Sequence, residues 1–244
     1  SKGTMDVGLP GLMVKEDRNP AFALIAMNYA KKASLDPRLI DPAWEVTGDS
    51  KINRVVETVS NIYQESSDFK GVQLIFSDLG VPKSDKQNLN IYEFLVSNFD
   101  SDTIQDIFGE DHATKPVTMK PDQIAAKMLE VIQDITKEEI DEIFKEANEV
   151  PKFDVYNEIK KQLIEKGIAA NEIEFIHDHD GTAKRKALYA RVKNGDVRVL
   201  IGSTGKMGVG VSVQDRVVAG HHLDIPFRYS DVEQRNGRFE RQGK

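Results

Sequence analysis

In the C-terminal segment 234–244, Arg238 and Arg241 have a spacing suited to phosphate chemistry. Arg238 and Arg241 are three residues apart and Gln234 precedes Arg238 by four, so a helical segment would present all three on one face. A guanidinium stays protonated and offers a planar fork of donors that matches phosphate oxygens. At the edge of a domain, such an array can reach a triphosphate held elsewhere, as an arginine finger does. The plain alternative is a solvated basic helix end.

The residues upstream predict elements that would position these arginines. Residues 197–201 form a short apolar, β-branched run typical of a buried strand, and a glycine-rich loop follows it at 202–214. Glycines let backbone amides approach phosphate closely. A second strand is predicted at 217–223, after which Ser230 can cap a helix that leads into the arginines. Consecutive strands and loops of this kind present ligand groups at the carboxyl edge of a parallel α/β sheet.

Several motifs together resemble the second RecA-like lobe of superfamily 2 helicases and translocases, on the SNF2-like side. The set comprises Gln234-x-x-Gly237-Arg238-x-x-Arg241 (their motif VI), Ser203-Thr204 with Gly208-Val209-Gly210 (motif V), residues 73–78 (motif IV) and Asp49-Ser50-Lys51 (the segment opening the lobe). Residues 221–228 resemble more narrowly the large helicase-methylase, antirestriction-type proteins of phages and plasmids. Two positions depart from the pattern: Ile225 replaces an aromatic residue and Ser212 replaces an asparagine.

The resemblance implies a DNA-dependent ATPase motor in which this chain is one half. ATP and Mg²⁺ would be bound mainly by a preceding N-terminal RecA-like lobe of the same polypeptide, and duplex DNA would be the nucleic-acid partner. By this resemblance the catalytic residues are Arg238, Arg241 and Gln234, the ATP-binding residues are Gly208, Gly210, Gly237 and Asp224, and the DNA-binding residues are Ser203, Thr204, Lys206 and Ser77. The chain alone is then expected to be catalytically silent. The alternative is a non-catalytic RecA-like module that docks nucleic acid or protein.

Charge and periodicity divide the chain into three segments. Residues 84–150 hold 6 Lys/Arg and 16 Asp/Glu, whereas residues 151–244 hold 17 and 13, in a chain of net charge −7. The acidic segment shows amphipathic helical patterns, and Thr136-x-x-Glu139 is a capping-box sequence that opens one of its helices. We therefore expect a RecA-like α/β lobe, mainly parallel with helices on both faces, from residues 1–83 and 150–244. An acidic, all-helical insertion at 84–149 would interrupt it and offer a possible surface for a protein partner.

Other kinds of site are disfavoured by spacing or context. The sequence 202–206 lacks the four residues that separate Gly from Gly-Lys in a phosphate-binding P-loop. The sequence Asp141-Glu142-Ile143-Phe144 imitates a DExx box but lies in a predicted helix. The run 177–180 follows a strand, where turn residues are expected, so no metal site is predicted. The chain has no cysteine, no secretory signal pattern and no apolar run long enough for a membrane, which together predict a cytoplasmic protein.

Overall fold

The computed structural model describes residues 5–6, 13–14, 20–46, 48–82, 87–110, 112, 117–149, 153–179, 181–207, 214–226 and 229–237. The helices there are α1 Pro20–Leu35, α2 Lys51–Glu65, α3 Gln87–Asn98, α4 Ser101–Phe108, α5 Pro121–Val131, α6 Lys137–Asn148, α7 Val155–Glu165, α8 Thr182–Asn194, α9 Thr204–Met207 and α10 Tyr229–Asn236. The strands are β1 Met5–Asp6, β2 Met13–Val14, β3 Val72–Phe76, β4 Ile173–Phe175, β5 Val199–Gly202 and β6 Val217–His222.

The larger sheet has the order β4-β5-β3-β6, and every neighbouring pair of strands in it is parallel. Its central strands β3 and β5 are buried along their whole length, which explains why their sequences are apolar apart from Gln73, whose side chain is hydrogen-bonded. β6, at one edge, is only partly buried and contains Gly220 and His221. The prediction of an α/β fold with a parallel sheet is confirmed.

Side chains from alternate strand positions pack into separate cores on opposite faces of this sheet. Ile75 and Ile201 join the core that packs against α2 and α7, and we call this side the α2–α7 face. Leu74 and Leu200 join the core that contains Leu188 and Val192 of α8, and we call that side the α8 face. Helices therefore cover both faces, as parallel sheets require.

The chain forms two compact units, and the division between them falls within α1. One unit consists of residues 1–30 and 84–149, and the other of residues 31–83 and 150–244. Residues 1–30, which the sequence-based division assigned to the α/β lobe, thus group with the acidic segment.

The unit that includes residues 84–149 is built around one apolar cluster shared by α3, α4, α5 and α6. The predicted capping box is confirmed: Thr136 Oγ1 accepts from Glu139 N at 3.2 Å, and Glu139 Oε2 accepts from Thr136 N at 2.6 Å. Asn28 of α1 donates to Glu146 Oε1 of α6 at 2.8 Å, which ties α1 to this unit. Helix α4 was not predicted; Asp100 caps it, and Ile104 and Ile107 bury its apolar side.

One predicted helix boundary is wrong. Helix α10 begins at Tyr229, so Ser230 lies in its first turn and does not cap it from outside.

None of the helices in the described ranges combines the length and the apolar character that crossing a bilayer requires.

Candidate site at the carboxyl edge of the sheet

The chain leaves the adjacent strands β3 and β5 toward opposite faces of the sheet. After β3, Leu79 and Val81 pack into the core of the α2–α7 face. After β5, Met207 of α9 packs into the core of the α8 face. Open α/β sheets bind ligands at the carboxyl edge where such a divergence occurs, and we call this region of the chain the crevice.

Two carboxylates fasten the loops on either side of this crevice. Asp224, just after β6, accepts from the backbone amides of Asp78 at 2.6 Å and Leu79 at 2.9 Å through Oδ2, and the Ser77 hydroxyl lies 3.4 Å from the same oxygen. Asp78 in turn accepts from Thr204 N through Oδ1 and from Thr204 Oγ1 through Oδ2, both at 2.7 Å. The ends of β3, β5 and β6 are therefore cross-linked by side chains.

Arg235 of α10 is the centre of this network, and its side chain is 0% exposed. Its Nη2 donates to Asp78 Oδ2 at 2.6 Å and to Asp224 Oδ1 at 2.9 Å. Its Nε donates to Thr204 Oγ1 at 2.7 Å, and Nη1 donates to the Asp224 carbonyl at 2.8 Å. A fifth bond, at 3.3 Å, runs from Nη1 to His222 Nδ1. All five guanidinium donors thus have acceptors, which a buried arginine requires.

His222 completes the anchorage of α10. Because its Nδ1 accepts from Arg235, its Nε2 carries the proton and donates to Asn236 Oδ1 at 3.0 Å. The imidazole also stacks on Phe76, with 5.6 Å between ring centroids. The last turn of α10 is therefore held to the end of β6 by its own side chains at two consecutive positions, Arg235 and Asn236.

Burial and charge set the protonation states in this network. Burial disfavours the Arg235 cation, but Asp78 and Asp224 outweigh it, so the pKa of Arg235 is raised. Burial and the nearby Asp78 raise the pKa of Asp224, against the opposing effect of Arg235. Burial also lowers the pKa of Lys31, near the end of α1, although both carboxylates favour its charged form. For His222, burial and then Arg235 lower the pKa, which keeps the ring neutral.

The structure brings together part of the residue set predicted from sequence. Asp224, Ser77, Ser203 and Thr204 are buried at the crevice, Lys206 is half-buried in α9, Gln234 is exposed on α10, and Gly237 directly follows that helix. Arg238, Arg241, Gly208 and Gly210 lie outside the described residues.

The buried members of the predicted set serve internal contacts. Ser77 donates its hydroxyl to Leu79 O at 2.9 Å, and the side chains of Thr204 and Asp224 are committed to the Arg235 network. Within the turn that follows β5, Gly205 is exposed and Lys206 is half-buried. These two residues, rather than Ser203 and Thr204, provide the outer surface of the turn.

Arg235 was not singled out from the sequence, although a signal for it exists. Asp78 closes the segment 73–78 that resembles motif IV, and Asp224 directly follows the strand predicted at 217–223. Parallel strands bring their carboxyl ends to one edge, so two carboxylates meeting there need a cation. Arg235, which precedes Asn236 and Gly237, is a cation in the sequence that could fill this role.

Comparison of the chain with known protein families, with curated proteins and with solved structures gave no match. The site is therefore interpreted from its own geometry and from the sequence motifs.

Proposed function

We propose that this chain is the second, RecA-like lobe of an ATP-dependent DNA translocase or helicase. In this proposal Arg238 and Arg241 act on ATP that a preceding lobe binds together with Mg²⁺, and the turn after β5 contacts the DNA backbone. The parallel sheet with helices on both faces and the crevice at its carboxyl edge are the architecture that such a lobe needs.

The observation on which the proposal rests is the burial of Arg235 among the ends of three strands. Its bonds to Asp78, Thr204 and Asp224 fix the last turn of α10 relative to the sheet. Gly237 follows that turn, and Arg238 is the next residue. The segment that contains the arginine motif therefore starts from a rigidly held point at the crevice.

The motif supplies the chemistry that phosphoryl transfer requires. Arginine remains protonated and donates hydrogen bonds in a fork, so Arg238 and Arg241 would stabilise negative charge on the transferring phosphoryl group. In this reaction water would attack the γ-phosphorus of ATP, the bond to the β-phosphate oxygen would break, and ADP and inorganic phosphate would leave. Gln234, exposed one position before the buried Arg235, would couple nucleotide contact to the movement of α10.

The test is ATP turnover by the natural protein that carries this sequence, with and without duplex DNA. We expect Arg238→Ala to reduce turnover by about 10³-fold or more while ATP binding is retained. Lys127→Ala is a matched control, because Lys127 pairs with Glu130 on the exposed surface of α5, in the compact unit that does not contain the crevice. Near-normal turnover in Arg238→Ala would refute the assigned role of the arginine.

A second proposal, a non-catalytic RecA-like docking module, is favoured by one observation. The side chains of Ser77, Thr204 and Asp224, which the resemblance assigns to ligands, are committed to internal hydrogen bonds. Folded wild-type protein that binds DNA but shows no turnover under any DNA condition would support this module and overturn the motor.

A further inference from the structure

Helix α8 is strongly basic in a chain that is acidic overall. Its thirteen residues, Thr182–Asn194, include Lys184, Arg185, Lys186, Arg191 and Lys193 and no acidic residue, whereas the chain has a net charge of −7. Leu188 and Val192 bury one side of the helix against the sheet. The positive charge is therefore concentrated on the remaining surface of a single, firmly packed element.

The outward side of α8 combines small residues with flanking lysines. Lys186 and Lys193 are exposed and seven residues apart, so they lie nearly in line, about 10 Å apart along the axis. Lys184 is exposed on the other flank. Between the flanks the outermost positions are alanines, at 183, 187 and 190, all exposed. Small side chains there would let an extended polyanion lie close to the helix between the lysines.

Helix stability does not account for this arrangement. Cations stabilise the last turn of a helix but are unfavourable in the first turns, where the dipole is positive. Lys184 and Lys186 lie in those first turns. Arg191 has an internal role, because its Nη1 donates to Glu174 Oε1 at 2.6 Å. Lys193 lies in the last turn, where a cation is favourable, so the helix dipole leaves only Lys184 and Lys186 without an intrahelical explanation.

The charge extends beyond the C-terminal end of the helix. Arg216 donates through Nε to Lys193 O at 2.8 Å, which places a further cation beside the last turn. Lys70 lies against Gly195, where an added methyl group would be 2.8 Å from Lys70 Cβ. Asp196 follows Gly195 and limits the basic surface at that end.

The same face of the sheet holds the turn that the proposed function assigns to DNA. Met207 of α9 shares the core of the α8 face with Leu188 and Val192. Ile176, in the turn leading from β4 toward α8, packs with Met207 over Gly202. Lys206 is thus part of an element on the same face as α8.

We propose that the exposed side of α8 binds the phosphate backbone of duplex nucleic acid, with Lys186 and Lys193 as the principal cations and Lys184 on the opposite flank. The identification of the polyanion as DNA rests on the proposed function. Lysine contacts to phosphate are independent of base sequence and release counterions, so their contribution falls as salt rises.

The experiment compares two double variants of the natural protein in the absence of ATP. Lys186→Gln/Lys193→Gln removes the cations of α8, and Lys161→Gln/Lys166→Gln removes two exposed lysines of α7 and its C-cap, on the α2–α7 face. Binding of a fluorescent duplex is measured by anisotropy across a salt series. The plot of log affinity against log salt has a negative slope, and the loss of two phosphate contacts should make that slope less steep by about 1.8. Between about 50 and 200 mM salt, the wild type should therefore lose about 12-fold more affinity than the α8 variant.

If the two double variants reduce the salt dependence of duplex binding equally, the proposal is overturned, because only the net charge of the protein would then matter. Tighter wild-type binding to anionic phospholipid vesicles than to duplex, lost in the α8 variant alone, would reassign the surface to a membrane and also overturn it. If the α8 variant binds duplex more weakly and the wild type shows no ATP turnover, the proposal for this surface stands and the motor proposal is rejected.

Discussion

Replacement of Arg235 by glutamine tests the network at the carboxyl edge most directly. The guanidinium is the cation between Asp78 and Asp224, whose side chains are only 14% and 7% exposed. Without it, two buried carboxylates face each other, and the Thr204 hydroxyl and the Asp224 carbonyl each lose a donor. Removing one partner of a buried ion pair typically costs about 3–5 kcal/mol. We expect Arg235→Gln to lower the free energy of unfolding by that amount.

The assay is urea unfolding followed by circular dichroism of the helices, because the single tryptophan, Trp44, is 48% exposed in the folded chain and would report unfolding weakly. Arg235→Lys keeps the charge but offers three donors that cannot reproduce the fork, so it should recover only part of the loss. Arg54→Gln is the matched control, because its ion pair with Asp49 is exposed and should leave the midpoint unchanged.

A double-mutant cycle separates the ion pair from other effects. Asp78→Asn alone removes one of the two negative charges that pair with Arg235. In the Arg235→Gln background, the same change removes the repulsion between the Asp78 and Asp224 carboxylates. The double variant should therefore be more stable than the sum of the single losses predicts, by about 0.5–3 kcal/mol. A loss below about 1 kcal/mol for Arg235→Gln, or strict additivity in the cycle, would refute the central role of Arg235.

Two further predictions concern the strands that lead to the crevice. The Gln73 amide donates to Val59 O, so its oxygen accepts from His221 Nε2 at 3.0 Å. Burial, then His222, lowers the pKa of His221 to about 4. The unfolded chain takes up that proton near pH 6.5, so stability should fall by on the order of 3 kcal/mol as pH drops from about 6.5 to 4. His221→Asn should flatten this dependence in urea midpoints, and an unchanged slope would contradict the assignment. Gly202→Ala should cost about 1–3 kcal/mol, because its methyl group would lie 2.5 Å from Ile176 Cγ2. Gly205→Ala, whose methyl group meets no described atom within 4 Å, is the control; equal losses would exclude crowding as the cause.

The repeating patterns in the sequence were sufficient to predict most of the α/β elements. The runs at 72–76 and 197–201, each apolar except for one polar residue, correspond to the fully buried strands β3 and β5, because a central parallel strand is covered on both faces. Local capping chemistry likewise predicted where α6 begins. The start of α10 was missed, since Ser230 is a plausible cap by type but lies inside the helix.

The candidate site depended on contacts that no local pattern records. Arg235 and Asp78 are separated by 157 positions in the sequence, and their pairing follows only once β3, β5 and β6 are placed in one sheet. Thr204 illustrates the same limit. The resemblance to motif V assigned it to DNA, and in the structure its hydroxyl donates to Asp78 and accepts from Arg235.

Stability alone gives no reason to bury an arginine at this position. Buried ion networks can often be replaced by apolar side chains without loss of stability, because desolvation offsets the attraction between charges. An apolar cluster, however, would allow α10 to shift. The five directional hydrogen bonds of Arg235 can all form in only one orientation of α10. We infer that the network is retained for orientation. An uncharged replacement, Arg235→Met combined with Asp78→Leu and Asp224→Asn, should then preserve more stability than the proposed ATP turnover, because the arginine motif would no longer start from a fixed point.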